Sequence, residues 1–131
     1  MRLHNKAILV LVVLTLTLAF ASCGKSEEAS YSQVDAAKAK QLMETEQNYV
    51  ILDVRTDSEF SEGHIPGAML IPDYEIEEKA ESMLKDKDQL ILVYCRSGNR
   101  SKGAAEALAK LGYTNVVEFG GIIDWPYETE K

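Results

Sequence analysis

The chain predicts an α/β domain with a parallel sheet covered by helices on both faces. Three observations carry that prediction. Short runs rich in Val, Ile, Leu and Tyr alternate with stretches of helical composition, the pattern of strand–helix–strand units. Leu90-Ile91-Leu92-Val93-Tyr94 is apolar throughout, as a strand buried on both faces must be. Glycines stand where helices would stop, at Gly63 and Gly112, because a helix C-terminus favours the residue with no Cβ.

Taken in order, Tyr31 to Val34 reads as a short edge strand. Asp35 is a good N-cap for a helix over Ala36 to Glu46, rich in Ala, Lys, Gln, Leu and Met. Tyr49 to Val54 is the next strand, apolar and β-branched until Asp53. Asp57 is placed to cap a short helix through Glu62. His64-Ile65-Pro66-Gly67-Ala68 has turn chemistry, and Met69 to Ile71 is a brief strand closed by Pro72. Tyr74 to Leu84 carries charges with apolar spacing, as a surface helix does. After the buried strand, Ser101 to Leu111 sets Ala104, Ala105, Leu108 and Leu111 on one helical face. Val116 to Phe119 is a last strand, and Gly120-Gly121 leads into a short terminal helix.

The 131 residues suit one domain, and the first 22 lie outside it. Arg2 and Lys6 precede the almost wholly apolar Ala7 to Ala21, a basic start and apolar stretch that read as a secretory signal. The stretch is short for a membrane span, which needs roughly 20 residues. Ala19-Phe20-Ala21-Ser22-Cys23 resembles the lipobox of bacterial lipoproteins, which implies cleavage before Cys23 and a lipid on its sulfur. Phe20 departs from the usual aliphatic residue there, and ordinary cleavage or an uncleaved anchor stays open. Residues 23–30 then form a flexible tether, small and polar from Gly24 onward, and residues 31–131 form the domain. This predicts an exported protein, lipid-anchored in the bacterial cell envelope.

Loss of residues 1–22 removes Arg2 and Lys6 and no acid. That leaves 12 basic against 21 acidic residues, a net charge of −9 in place of −7. Such a surface argues against nucleic acid and against docking on anionic lipid by charge. Membrane attachment is left to the lipid. The chain has two cysteines; with Cys23 lipidated, Cys95 has no partner and reads as a linker or a reactive centre.

Cys95-Arg96-Ser97-Gly98-Asn99-Arg100-Ser101 follows the buried strand and runs into a helix. The ligand crevice of a parallel sheet lies beyond the carboxyl ends of its strands, which is where Cys95 falls. Backbone N–H groups, the helix start and nearby guanidinium charge would lower its thiol pKa. Arg96 and Arg100 would add positive charge for an anion. Gly98 frees the loop backbone, and Ser97 and Ser101 offer hydroxyl donors. The plainer readings are a buried structural thiol and solvated arginines. Arg55 and Asp53 read as structural, with Arg55 paired to an acid or a loop carbonyl. His64 reads as a turn-fixing hydrogen-bonder, Trp125 as a packing anchor, and the acids of Glu75 to Glu81 as a solvated helix face.

Four segments in order resemble the single-domain rhodaneses: Asp53-Val54-Arg55 followed by Glu59-Phe60, Gly63-His64-Ile65-Pro66-Gly67-Ala68, Cys95 to Ser101, and Gly120-Gly121-Ile122-Ile123-Asp124-Trp125. The resemblance spans Tyr31 to Trp125. It implies a three-layer sandwich with a mostly parallel sheet. It also implies a sulfurtransferase whose Cys95 becomes a persulfide, with Arg96, Ser97, Gly98, Asn99, Arg100 and Ser101 around the substrate. Asn99, at the family's most variable loop position, would tune access. The donor would be a small sulfur-containing anion, and the acceptor cyanide-like or a thiol, a protein thiol included. No metal or organic cofactor is implied, and a monomer is expected. A persulfide carrier for a partner protein is the alternative from another class. A related arsenate reductase or phosphatase is the lesser alternative, since such enzymes use a loop one residue longer, and no second cysteine lies close enough for a Cys-x-x-Cys mechanism.

Overall fold

The structure, a computed structural model, describes residues 28–131. The signal over 1–22, the lipidation of Cys23 and the tether to residue 27 lie outside the described residues. Five strands form one sheet: β1 (Ser32–Gln33), β2 (Tyr49–Asp53), β3 (Met69–Leu70), β4 (Leu90–Cys95) and β5 (Val116–Gly121). Their order is β1-β5-β4-β2-β3, and every neighbouring pair is parallel. Four helices connect them: α1 (Ala36–Thr45), α2 (Asp57–Glu62), α3 (Ile76–Met83) and α4 (Asn99–Lys110).

β4 is the centre of the sheet and is buried along its whole length, which is why it carries no charged residue. Strand alternation splits it between two cores. Ile91, Val93 and Cys95 pack with Ile76 and Ala80 of α3 and with Ala104, Ala105 and Leu108 of α4. Leu90, Leu92 and Tyr94 face the other way, with Ala39 of α1, Ile65, Phe119 and Trp125. Burying each such Ile, Leu or Val side chain stabilises the fold by roughly 1.5–3 kcal/mol. Helices thus cover both faces, as expected.

The structure corrects several local expectations. Asp57 is not the cap of α2. Thr56 is, in a reciprocal box: its Oγ1 accepts the Glu59 N–H at 3.3 Å, and the Glu59 carboxylate accepts the Thr56 N–H at 3.0 Å. The stretch from Asp73 starts as a 3-10 turn, Asp73–Glu75, before α3. α4 begins at Asn99, two residues before Ser101. The terminal helix is a single 3-10 turn, Ile122–Asp124.

β5 continues to Gly121 through a bulge. Val93 pairs with Glu118 but Cys95 with Gly121, so β5 has one residue more than β4 over this stretch. Gly120, at φ +93°, absorbs the extra residue. The bulge brings Gly121 under the chain that leaves β4. A Cβ on Gly121 would sit 2.0 Å from the Arg96 carbonyl oxygen, and the Ile123 N–H donates to that same oxygen at 3.2 Å.

Two glycines should therefore respond in opposite directions to alanine. Gly121→Ala should cost at least ~2 kcal/mol, because backbone meets backbone. Gly103→Ala, exposed within α4 with open space around its Cβ position, should gain ~0.5–1 kcal/mol. Urea unfolding midpoints check both; a Gly121→Ala midpoint equal to the parent's contradicts the packing described.

Candidate active site

Cys95 is the last residue of β4, and alternation points its side chain at the start of α4. It is 1% exposed. The chain then turns through Arg96 and Ser97 to Gly98, whose φ of +100° is left-handed and which stands as the N-cap of α4. Gly98 has no side chain to cap the helix, so the cysteine sulfur takes that place. The Gly98 N–H donates to Cys95 Sγ at 3.0 Å. Sγ also lies 3.3 Å from Ser101 Oγ.

These contacts oppose one another in their effect on the thiol. Burial pushes it up. The Ser101 hydroxyl and the backbone N–H groups of Ser101, Gly98 and Ser97 pull it down, and they prevail: the thiol lies below its ordinary value. The lowering expected from loop amides is present. The arginine contribution differs from expectation, for a specific reason.

Arg100 is held by another element. Its Nη1 and Nη2 donate to the two Glu59 oxygens at 2.8 and 2.9 Å, a bidentate ion pair between α4 and α2. Those hydrogen bonds, with help from Thr56 and against burial, hold the Glu59 carboxyl at about 2. The same partner, together with the charges of Cys95 and Asp73, raises the Arg100 guanidinium. Arg100 is close enough to feel the sulfur, but most of its charge answers Glu59. Arg96 is exposed, and its guanidinium makes no hydrogen bond among the described residues. It is the loop cation free to meet an incoming anion. Ser97 and Asn99 are exposed as well, while Gly98 and Ser101 are buried under the loop.

A second polar cluster fixes the neighbouring strand end. Asp53 accepts from the Arg55 backbone N–H at 2.9 Å, from Arg55 Nη2 at 2.7 Å and from the Tyr94 hydroxyl at 2.6 Å. Arg55 Nη2 also reaches the Gly63 carbonyl at 2.7 Å, so Arg55 pairs with both an acid and a loop carbonyl, as the sequence suggested. Burial and then the Asp53 hydrogen bond push the Tyr94 phenol well above its ordinary value. That hydroxyl accepts the Ile65 N–H at 3.1 Å. His64 does fix its turn: Nδ1 lies 3.0 Å from the Phe60 carbonyl, and the ring stacks on Phe60 at 3.8 Å. Trp125 is an anchor, buried against Phe119 and Tyr127.

Two residues went unrecognised in the sequence. Glu59 was part of a motif but carried no role; its signal was the Thr56-x-x-Glu59 spacing of a capping box. Glu118 had no role either. It is 3% exposed, and its Oε1 accepts the Ser101 hydroxyl at 2.6 Å and the Gly120 N–H at 2.8 Å. An acid at an inward position of an apolar strand was the available signal. A cavity of about 470 Å³ lined by Lys40, Met43, Ile51, Trp125 and Tyr127 adjoins the α1 core, away from the thiol's face.

Comparison with known proteins agrees with this geometry. The rhodanese-like domain family matches residues 35–126. The chain is 37% identical over 73 residues to PspE, a thiosulfate sulfurtransferase of Escherichia coli (strain K12), covering 56% of this chain and 70% of that protein. It is 34% identical over 95 residues to a sulfurtransferase of Allochromatium vinosum, covering 72% of this chain and 87% of the relative. A solved rhodanese with anions from E. coli superposes with a TM-score of 0.60 at 34% identity, over 63% of this chain and 98% of the other. With four motifs in order, a parallel sheet that presents Cys95 to a helix start, and relatives matched along most of their length, this chain belongs to the rhodanese-like domain family.

Proposed function

We propose that this protein is a sulfurtransferase of the thiosulfate type, with Cys95 as nucleophile. The observation that carries the reading is the sulfur's place at the start of α4, covered from solvent yet met by amide donors. A thiolate so held attacks the sulfane sulfur of thiosulfate. The S–S bond of the donor breaks, sulfite leaves with the electron pair, and Cys95 carries a persulfide. An acceptor thiolate or cyanide then attacks the outer sulfur, and Cys95 thiolate departs. Neither step needs an oxidant or a proton-abstracting base.

The loop divides the remaining work. The amides of Ser97, Gly98 and Ser101 stabilise the charged sulfur. Arg96, exposed and uncommitted, meets the oxyanion of the donor, and Asn99 beside it shapes entry. Arg100, preset by Glu59, adds positive potential without swinging freely. The relative named for thiosulfate and the neighbour solved with anions support the choice of donor. Residues 1–22 as a secretory signal and Cys23 as a lipidated anchor would place this chemistry in the cell envelope.

Intact-mass analysis after thiosulfate, followed by cyanide, tests the reading. We expect a one-sulfur gain on Cys95 that vanishes as thiocyanate appears, and a fall of at least ~10³-fold in transfer for Cys95→Ser. Transfer retained by Cys95→Ser would refute it, and an adduct that cyanide cannot discharge would favour a carrier. Cys23→Ala should move the protein from the membrane fraction to the soluble one; unchanged membrane retention would count against the lipid.

Glu59 supplies a pH test of the preset Arg100. Its carboxyl ionises at about 2 when folded, against an ordinary value of 4.5. The pair's contribution is therefore complete above about pH 4.5 and lost as pH falls toward 2. Glu59→Gln should be less stable than the parent at pH 6, by under ~1 kcal/mol for this partly exposed pair, and the gap should narrow toward pH 2. A pH-independent gap would contradict the assignment.

A further inference from the structure

The transfer chemistry leaves one buried acid on the thiol's side of the sheet without a task. Along β5, Val116 packs in the same core as Cys95, while Val117 and Phe119 pack in the other. Glu118 therefore faces the same side as the sulfur. Its carboxylate lies beneath the loop, and a Cβ on Gly98 would come within 3.9 Å of its Oε1. It touches the nucleophile only through Ser101, which is fully buried between them.

Ser101 has one hydroxyl hydrogen and two neighbours that can claim it. Glu118 Oε1 is 2.6 Å away, and Cys95 Sγ is 3.3 Å away. The Gly120 carbonyl, at 3.5 Å, is too distant to compete. The short distance to a carboxylate assigns the hydrogen to Glu118. While the sulfur is protonated, Ser101 accepts its S–H; to lower the thiol, as it does, the hydroxyl must instead donate to the thiolate. A thiolate at Cys95 would need that same hydrogen turned toward it.

We propose that Glu118 is a positioning residue that competes with Cys95 for the hydroxyl hydrogen of Ser101, so that it disfavours the free thiolate. The loop amides lower the thiol, and Glu118 limits how far. The other charges around the loop are Arg100, its partner Glu59, Asp73 acting on Arg100, and the exposed Arg96. None of them bonds to the Ser101 or Glu118 side chain. A consequence follows that rests on the sulfur-transfer reading. In the persulfide, negative charge resides on the outer sulfur, one bond farther from Ser101 and Glu118. Glu118 thus penalises the empty cysteine more than the loaded one and tilts the pair toward persulfide.

The experiment is the pH dependence of iodoacetamide alkylation of Cys95, which requires no sulfur donor and so stands apart from the activity reading. Glu118→Gln is isosteric, and its amide oxygen can still accept the Gly120 N–H. We expect its alkylation midpoint to fall by about one pH unit, which gives ~10-fold faster alkylation below both midpoints. Ser101→Ala should raise the midpoint, and adding Glu118→Gln to Ser101→Ala should shift it much less than in the parent. An unchanged or raised midpoint in Glu118→Gln overturns the proposal, as does an equal shift in both backgrounds. A lowered midpoint in a protein that never takes up sulfur would sustain the proposal and refute only the transfer reading.

Discussion

A buried sulfur whose thiol is held below its ordinary value is the constraint on which the rest of this structure depends. An isolated anion taken out of water is costly, so donors must be built around it. Here they come from backbone. β4 ends at Cys95, the loop turns at Gly98 in a left-handed conformation, and α4 starts at once, so unpaired helix-start N–H groups converge on Sγ. The bulge in β5 and the Gly121–Arg96 approach hold that turn from below. Fold and chemistry share the same few backbone atoms.

Side-chain charge plays a different part. Arg55 is spent on Asp53 and the Gly63 carbonyl, and Arg100 on Glu59. Asp53 and Arg55 tie the end of β2 to the Gly63 turn and, through Tyr94, to β4. Glu59 and Arg100 tie α2 to α4. For the buried Asp53–Arg55 pair, removing one member leaves an uncompensated charge, at a cost of about 3–5 kcal/mol; the partly exposed Glu59–Arg100 pair contributes less. Arg55 is structural, as its sequence context suggested, while Arg100, read as an anion binder, is held by Glu59 and Arg96 alone in the loop is left uncommitted. That matters in a chain of net charge −7, where local positive potential must be placed deliberately.

Much of this was legible in the residues. The apolar run Leu90 to Tyr94 marked the central strand because burial on both faces excludes polar side chains. Asp35 and Gly112 marked helix ends because capping is local chemistry. What the sequence hid was non-local. α4 starts at Asn99 after a left-handed Gly98 with no side-chain cap, a start that no capping residue marks in the sequence. The partner of Arg100 lies 41 residues away, so a solvated arginine and a paired one read alike. Gly120-Gly121 was visible as a motif, but its reason, a bulge that lets two backbones meet, appears only in the register. Glu118 is marked only by its place in an apolar strand, and its partners Ser101 and Gly120 appear only in the folded structure.

The same non-local contacts explain how the site can work without a histidine base. His64 has Nδ1 at the Phe60 carbonyl, its ring flat on Phe60, and Nε2 3.4 Å from Glu130. The Glu130 backbone closes a two-way bridge to His64 at 2.8 Å, so this imidazole is bound into the turn. A thiol already lowered by amides needs no such base. The proposed transfer needs a setting in which the thiolate is accessible without being the overwhelming favourite, since a very stable thiolate is a weak nucleophile and would discharge a persulfide too readily. The amides act in one direction and the Glu118–Ser101 contact in the other. The sulfur's reactivity is set by their difference.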